Sequence, residues 1–232
     1  MTSPLASVPL FHIGPVPITS AVLLTWVIMA VLAIGGYLAT RKLALVPNGI
    51  QATLELVVET VDSQIRDTMQ VEPTPYRGFI GTLFLFIFIS NWSSLVPGVV
   101  PPTAHLETDA ALALLVFLAV IWFGVRAGGV RGYLATFATP SPIMIPLNFI
   151  ESITRTFSLL VRLFGNVMSG VFVIGIVLSL AGLLVPIPLM ALDLLTGAVQ
   201  AYIFAILAMV FIAGALGENR PPSVPSNQRT PS

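Results

Sequence analysis

The chain has 232 residues, 56% of them hydrophobic and only 9% charged, with a mean hydropathy of +0.97. Soluble domains carry about a quarter charged residues, so composition excludes an ordinary soluble enzyme. Lys+Arg and Asp+Glu number 10 each, which leaves no basic face for nucleic acid, and the lack of cysteine removes disulfides, Cys-based zinc sites and thiol catalysis. His12 and His105 stand too far apart in sequence for metal-ligand spacing.

The pattern is that of an all-α polytopic membrane protein. A membrane-spanning helix needs about 20 mostly apolar residues, and five segments qualify. Ile18–Leu38 has no interior charge, and no Lys or Arg precedes it, so it lacks the basic start of a cleaved signal peptide and is expected to be retained. Between it and the second span, Ile50, Leu54, Val57, Val58, Val61 and Ile65 fall at helical spacing. Gln51, Glu55, Glu59, Asp62 and Arg66 take the other face, which predicts an amphipathic helix over 48–68, lying on the membrane or packed on a partner. Pro47 serves as its start signal.

Phe79–Val100 is the second span, closed by Pro97-Gly98, and Ala110–Val125 is a short third. Ile143–Leu184 and Pro186–Leu216 follow, separated by Val185-Pro186-Ile187-Pro188. Both exceed one bilayer crossing, so they are expected to be tilted or bent as a long hairpin. Residues 1–217 read as one intramembrane domain, and the tail 218–232, rich in Pro, Ser, Arg and Asn, as disordered. No internal repeat supports an inverted-repeat transporter.

Basic residues set the orientation. Arg41, Lys42, Arg66 and Arg77 lie between spans one and two, Arg126, Arg131 and Arg155 between three and four, and Arg220 and Arg229 after span five. The positive-inside rule then puts the N-terminus outside and the C-terminus in the cytoplasm. Arg162 is the one basic residue that does not obey it.

In the fourth segment, Glu151, Arg155, Ser158, Arg162, Asn166 and Ser169 share one helical face. That stripe is roughly 27 Å long at the helical rise, nearly the hydrocarbon thickness, so it cannot face lipid. Two readings stay open: Ser and Asn as interhelical glue with snorkelling arginines, or a polar path with a fixed positive charge at Arg162. In the fifth segment Asp193, Thr196, Gly197 and Gln200 also share a face, as a structural helix start or as a hydrated path. His105, Glu107 and Asp109 cluster in the outer loop, either as an entrance for cations or as a solvated loop. Asn91, Ser93 and Ser94 read as packing residues. There is no Ser–His–Asp set, phosphate loop or nucleotide fingerprint, so no covalent chemistry, nucleotide site or cofactor is expected.

Arg162-Leu163-Phe164-Gly165-Asn166, preceded by Pro146-Leu147-Asn148-Phe149-Ile150-Glu151, resembles subunit a of the F-type ATP synthase. The likeness extends to Phe88–Asn91 with Leu95–Gly98, to Pro102–Ala104 with Leu112–Leu114, and to Gln200–Phe204. The resemblance implies a non-catalytic stator in a bacterial plasma membrane, beside a rotating ring of c subunits and held by peripheral-stalk b subunits. Two offset half-channels would carry H⁺ or Na⁺ to and from a ring carboxylate. Arg162 would be the essential arginine between them, Asn166 and Gln200 its polar neighbours, and Glu151 the acidic residue on the cytoplasmic side.

One departure matters. The family usually carries Glu or His just after the glycine matching Gly170, paired with His or Glu on the last helix; here Val171 and Asp193 stand there. This leaves Asp193 acting alone through water, or a path suited to Na⁺. Two other classes remain to be separated from the stator: a stand-alone channel or secondary transporter with an Arg–carboxylate gate, and a scaffold whose polar residues only hold helices together.

Overall fold

The computed structural model describes residues 9–13, 16–41, 49–96, 99–137, 143, 145–181 and 185–217. The expected tail 218–232 lies outside them. The chain opens with an antiparallel hairpin, β1 (Pro9–Ile13) and β2 (Val16–Thr19), pairing Phe11 with Ile18 and Ile13 with Val16. The hydrophobic count did not reveal this hairpin, because its alternating Phe, Ile and Val are too few to register beside a span. Helices α1 (Ser20–Thr40), α2 (Gly49–Met69), α3 (Thr74–Trp92), α4 (Leu106–Phe137), α5 (Ile145–Ala181) and α6 (Pro186–Gly217) follow, with short 3-10 turns at Ser93–Leu95 and Pro102–Ala104.

The membrane part is all-helical, and five of these helices are long and apolar enough to cross a bilayer. The third span is longer than the apolar run suggested. It starts at Leu106, because Glu107, Thr108 and Asp109 form its first turn rather than a loop, and it passes Arg126 to a kink at Gly129. Gly129 takes φ 69° and ψ 169°, a conformation open to glycine and costly for other residues. α5 has 37 residues and α6 has 32. At about 1.5 Å per residue each is well beyond a bilayer of about 30 Å, as expected for a tilted hairpin.

α6 is the hub, packed against α2, α3, α4 and α5. Its inward face carries Gly197, Ala201, Ala205 and Ala208 among the larger Phe204, Met209 and Ile212. Small residues let helices approach closely where lipid supplies no hydrophobic driving force. Ile80, Leu83 and Ile87 of α3, Ala113 and Val116 of α4, and Leu159, Leu163 and Val167 of α5 complete the core. α1 is the least enclosed helix, exposing Trp26, Val27, Val31, Ile34 and Leu38 in the manner of a lipid-facing span.

The amphipathic helix is present as α2, and the surface it meets is this chain's own α3 and α6. One of its residues departs from the expected pattern. Asp62 is buried beside Ile65 and Met69 instead of lying on the solvent face. It accepts from Arg77 Nε at 2.5 Å and pairs with Arg77 Nη2, tying α2 to the start of α3. A distant cation on another helix drew it inward, and local periodicity carries no trace of that cation.

Candidate functional site: a polar hairpin with two grooves

The hairpin of α5 and α6 holds the polar side chains in two separate groups. Toward the start of α5, a groove of about 570 Å³ is lined by Glu151, Arg155, Ser158 and Arg162 together with Leu207 and Phe211 of α6. Glu151 and Arg155 form an ion pair one turn apart, and the Arg155 guanidinium lies 5.6 Å from the centre of the Phe211 ring. That cation–π contact links the two helices across the groove. Arg162 is exposed on the isolated chain, and among the described residues no carboxylate pairs with it.

Toward the other end, a groove of about 220 Å³ is lined by Asn166, Ser169, Gly170, Val173, Asp193 and Thr196, among others. Arg162 borders the first groove and Asn166 the second, so only one helical turn, about 6 Å of rise, separates them. Ser169 Oγ donates to the Asn166 carbonyl at 2.8 Å, and Thr196 Oγ1 to the Asp193 carbonyl at 3.0 Å. Both hydroxyls therefore satisfy their own helices while their residues line the groove.

Asp193 is half-buried directly against Gly170. A Cβ at residue 170 would meet Asp193 Oδ1 and lie 2.7 Å from its Cγ. The residue facing Asp193 is thus Gly170, whereas Val171 is partly buried against the core and does not line the groove. Helical geometry explains the difference, since consecutive residues point about 100° apart.

Gln200 also departs from the shared face read in the sequence. It lines neither groove; it is 6% exposed inside the bundle, with Nε2 lacking a partner. The trio before and at the start of α4 divides as well: His105 is half-buried, Glu107 exposed, and Asp109 completely buried with neither carboxylate oxygen bonded. They do not form one solvated cluster. Asp109 faces inward because it shares a helical face with Leu112, Ala113 and Val116.

A polar centre that the sequence reading assigned to packing also emerges. Asn91 Nδ2 donates to the Gly197 carbonyl at 2.9 Å, and Thr103 Oγ1 donates to Asn91 Oδ1 at 2.7 Å. Trp92 Nε1 donates to the Leu194 carbonyl at 3.3 Å. Asn91 therefore bridges the turn before α4 to α6 at Gly197, which lies one turn from Asp193 and three residues from Gln200. Gly197 was the available sign, since a glycine between polar residues marks a close helix approach.

These features define an integral membrane protein whose last two helices form a hairpin carrying two polar grooves. The family model described as ATP synthase A chain matches residues 22–213. ATP synthase subunit a 2 of Bradyrhizobium sp. is 57% identical over 216 residues, covering 93% of this chain and 97% of that relative. ATP synthase subunit a 2 of Pelobacter propionicus is 47% identical over 89% of this chain and 91% of its own length. ATP synthase subunit a of Albidiferax ferrireducens is 45% identical over 93% and 94%. The chain belongs to the family of ATP synthase subunit a, a membrane component of the Fo sector.

Proposed function

We propose that this chain is the ion-translocating stator of a rotary F-type ATP synthase in a bacterial plasma membrane. The observation that carries this reading is the pair of separate grooves that approach within one helical turn, one ending at Arg162 and the other at Asn166. The groove of Glu151 and Arg155 is the cytoplasmic half-channel, and the groove of Asn166, Ser169 and Asp193 the outer one. The assignment of sides follows the basic loops, with the N-terminus outside and the C-terminus cytoplasmic.

The chemistry is electrostatic. An arginine stays charged in proteins, so Arg162 presents a fixed positive charge where the grooves come closest. A carboxylate carried past it on a c-subunit ring is held ionised there and gives up its H⁺ or Na⁺. The same charge repels a cation trying to pass straight from one groove to the other. The unpaired guanidinium on the exposed face is suited to a partner that supplies the carboxylate in turn. Asp193 draws cations to the outer groove, and Glu151 draws them to the cytoplasmic one. This chain supplies no nucleotide chemistry in that scheme; peripheral-stalk b subunits hold it still while the ring turns.

The test is Arg162→Ala in the assembled complex, reconstituted in vesicles. Expected is loss of ion-driven ATP synthesis with the c ring still co-purifying. Normal synthesis rates in an assembled variant overturn the assignment of Arg162. Recovery of a chain that transports ions without any c ring favours the stand-alone channel instead. Driving synthesis with Na⁺ or with H⁺ alone identifies the coupling ion.

A further inference from the structure

Asp109 is the chemical anomaly of the fold. It is 0% exposed, and neither carboxylate oxygen has a hydrogen-bond partner. Burying a carboxylate without compensation costs several kcal/mol, so such a group acquires a counter-charge or a proton. Among the described residues the ion pairs join Arg77 to Asp62 and Arg155 to Glu151, and neither reaches Asp109. The α4 face around it continues as Leu112, Ala113 and Val116. The turn Pro102–Ala104, α5 and α6 pack against α4. In their outer halves the only ionisable side chain is Asp193, also an acid; His105 and Glu107 flank Asp109 on its own segment. Among the described residues, no fixed cation is supplied to it.

Other buried side-chain atoms also lack partners. Ser90 Oγ of α3 and Gln200 Nε2 of α6 are buried and unbonded. Between their helices runs the chain of Thr103, Asn91 and the Gly197 carbonyl. The turn bearing Thr103 precedes α4 directly and touches α1, α3, α4 and α5. Buried polar groups left without partners mark places where water or an ion belongs.

We propose that Asp109 is an internal binding station for a small monovalent cation, H⁺ or Na⁺, set inside the bundle behind the outer groove. A cation from the outside is held on the Asp109 carboxylate and released toward the polar stretch of α6 between Asp193 and Gln200. The ion supplies the charge that the fold withholds, so the site is stable only when loaded and exchanges its occupant rather than standing empty. The station rests on the reading of this chain as an ion-translocating stator, and it adds a second acidic group to an outer path in which Val171 faces away.

The test uses the whole reconstituted complex. Asp109→Asn keeps the shape and removes the charge. Expected is a rise of about ten-fold in the outer concentration of coupling ion that half-saturates synthesis, the loss typical of one charged ligand, with the cytoplasmic-side dependence unchanged. An assembled variant with unaltered outer-side dependence overturns the station. Should the variant fail to assemble, the wild-type complex decides: a hydrophobic carbodiimide should label Asp109, with labelling suppressed by Na⁺ or by rising pH according to the ion held. Absence of label under every condition, or labelling indifferent to both, also overturns it. Arg162→Ala run alongside separates the two ideas: if it abolishes coupling while Asp109 passes neither test, the stator reading stands and the station falls.

Discussion

Replacing Gly170 with alanine tests the seat of Asp193 through the sign of a stability change. In a helix interior, Gly→Ala alone stabilises by about 0.8–1 kcal/mol, because glycine loses more backbone freedom on folding. Here the new Cβ would meet Asp193 Oδ1 and stand 2.7 Å from Cγ and 3.3 Å from Oδ2. Such overlap must be relieved by rotating the carboxylate out of the groove or by parting α5 from α6. Overpacking costs about 1–3 kcal/mol, at the low end where only the carboxylate swings aside; against the propensity gain this leaves the variant between unchanged and about 2 kcal/mol less stable. Asp193→Ala removes the colliding atoms, so in that background Gly170→Ala should recover its intrinsic benefit. The double-mutant cycle should then show a coupling of about 1–3 kcal/mol, as for residues in contact. Thermal release of this chain from the purified complex, followed alongside outer-side ion dependence, provides the assay. A stabilising Gly170→Ala, with no coupling to residue 193, refutes the geometry on which the outer groove rests.

Two further outcomes follow from the polar contacts. Thr103→Val deletes the donor to Asn91 and leaves a buried amide oxygen unbonded, so it should cost about 1–2 kcal/mol in the same thermal assay; an unchanged midpoint would show that this bond does not hold the turn to α3. Arg155→Gln breaks a surface ion pair, which should alter stability by less than about 1 kcal/mol. It frees Glu151, however, and should shift the cytoplasmic-side ion dependence; a variant that changes only stability would place Arg155 outside the path.

Much of this molecule is legible in one dimension because a membrane imposes a one-dimensional rule. Each crossing helix satisfies its own backbone and needs a long apolar run, so five spans emerge from hydropathy alone, although the third extends beyond its apolar run at both ends. The stripe from Glu151 to Ser169 is equally local: one helix carries it, and the spacing of 3 and 4 fixes its face. The amphipathic α2 follows from the same periodicity.

Tertiary structure decided which polar residues meet across helices. Nothing in the spacing around Asp62 announces that Arg77 will reach it, nor does a stretch of Pro, Thr and Ala announce a hydroxyl for Asn91. Gly170 and Asp193 come from different helices, and the rotation of α5 about its axis makes the glycine, not Val171, their point of contact. Asp109 shows the limit most sharply. By sequence it belongs with His105 and Glu107 in an outer loop, but the helix begins four residues earlier than the apolar run, at Leu106. That early start puts Asp109 on the buried face with Leu112 and Val116, and an entrance residue becomes an interior one. Periodicity assigns a residue to a face of its own helix; which neighbour covers that face is settled only when the helices pack.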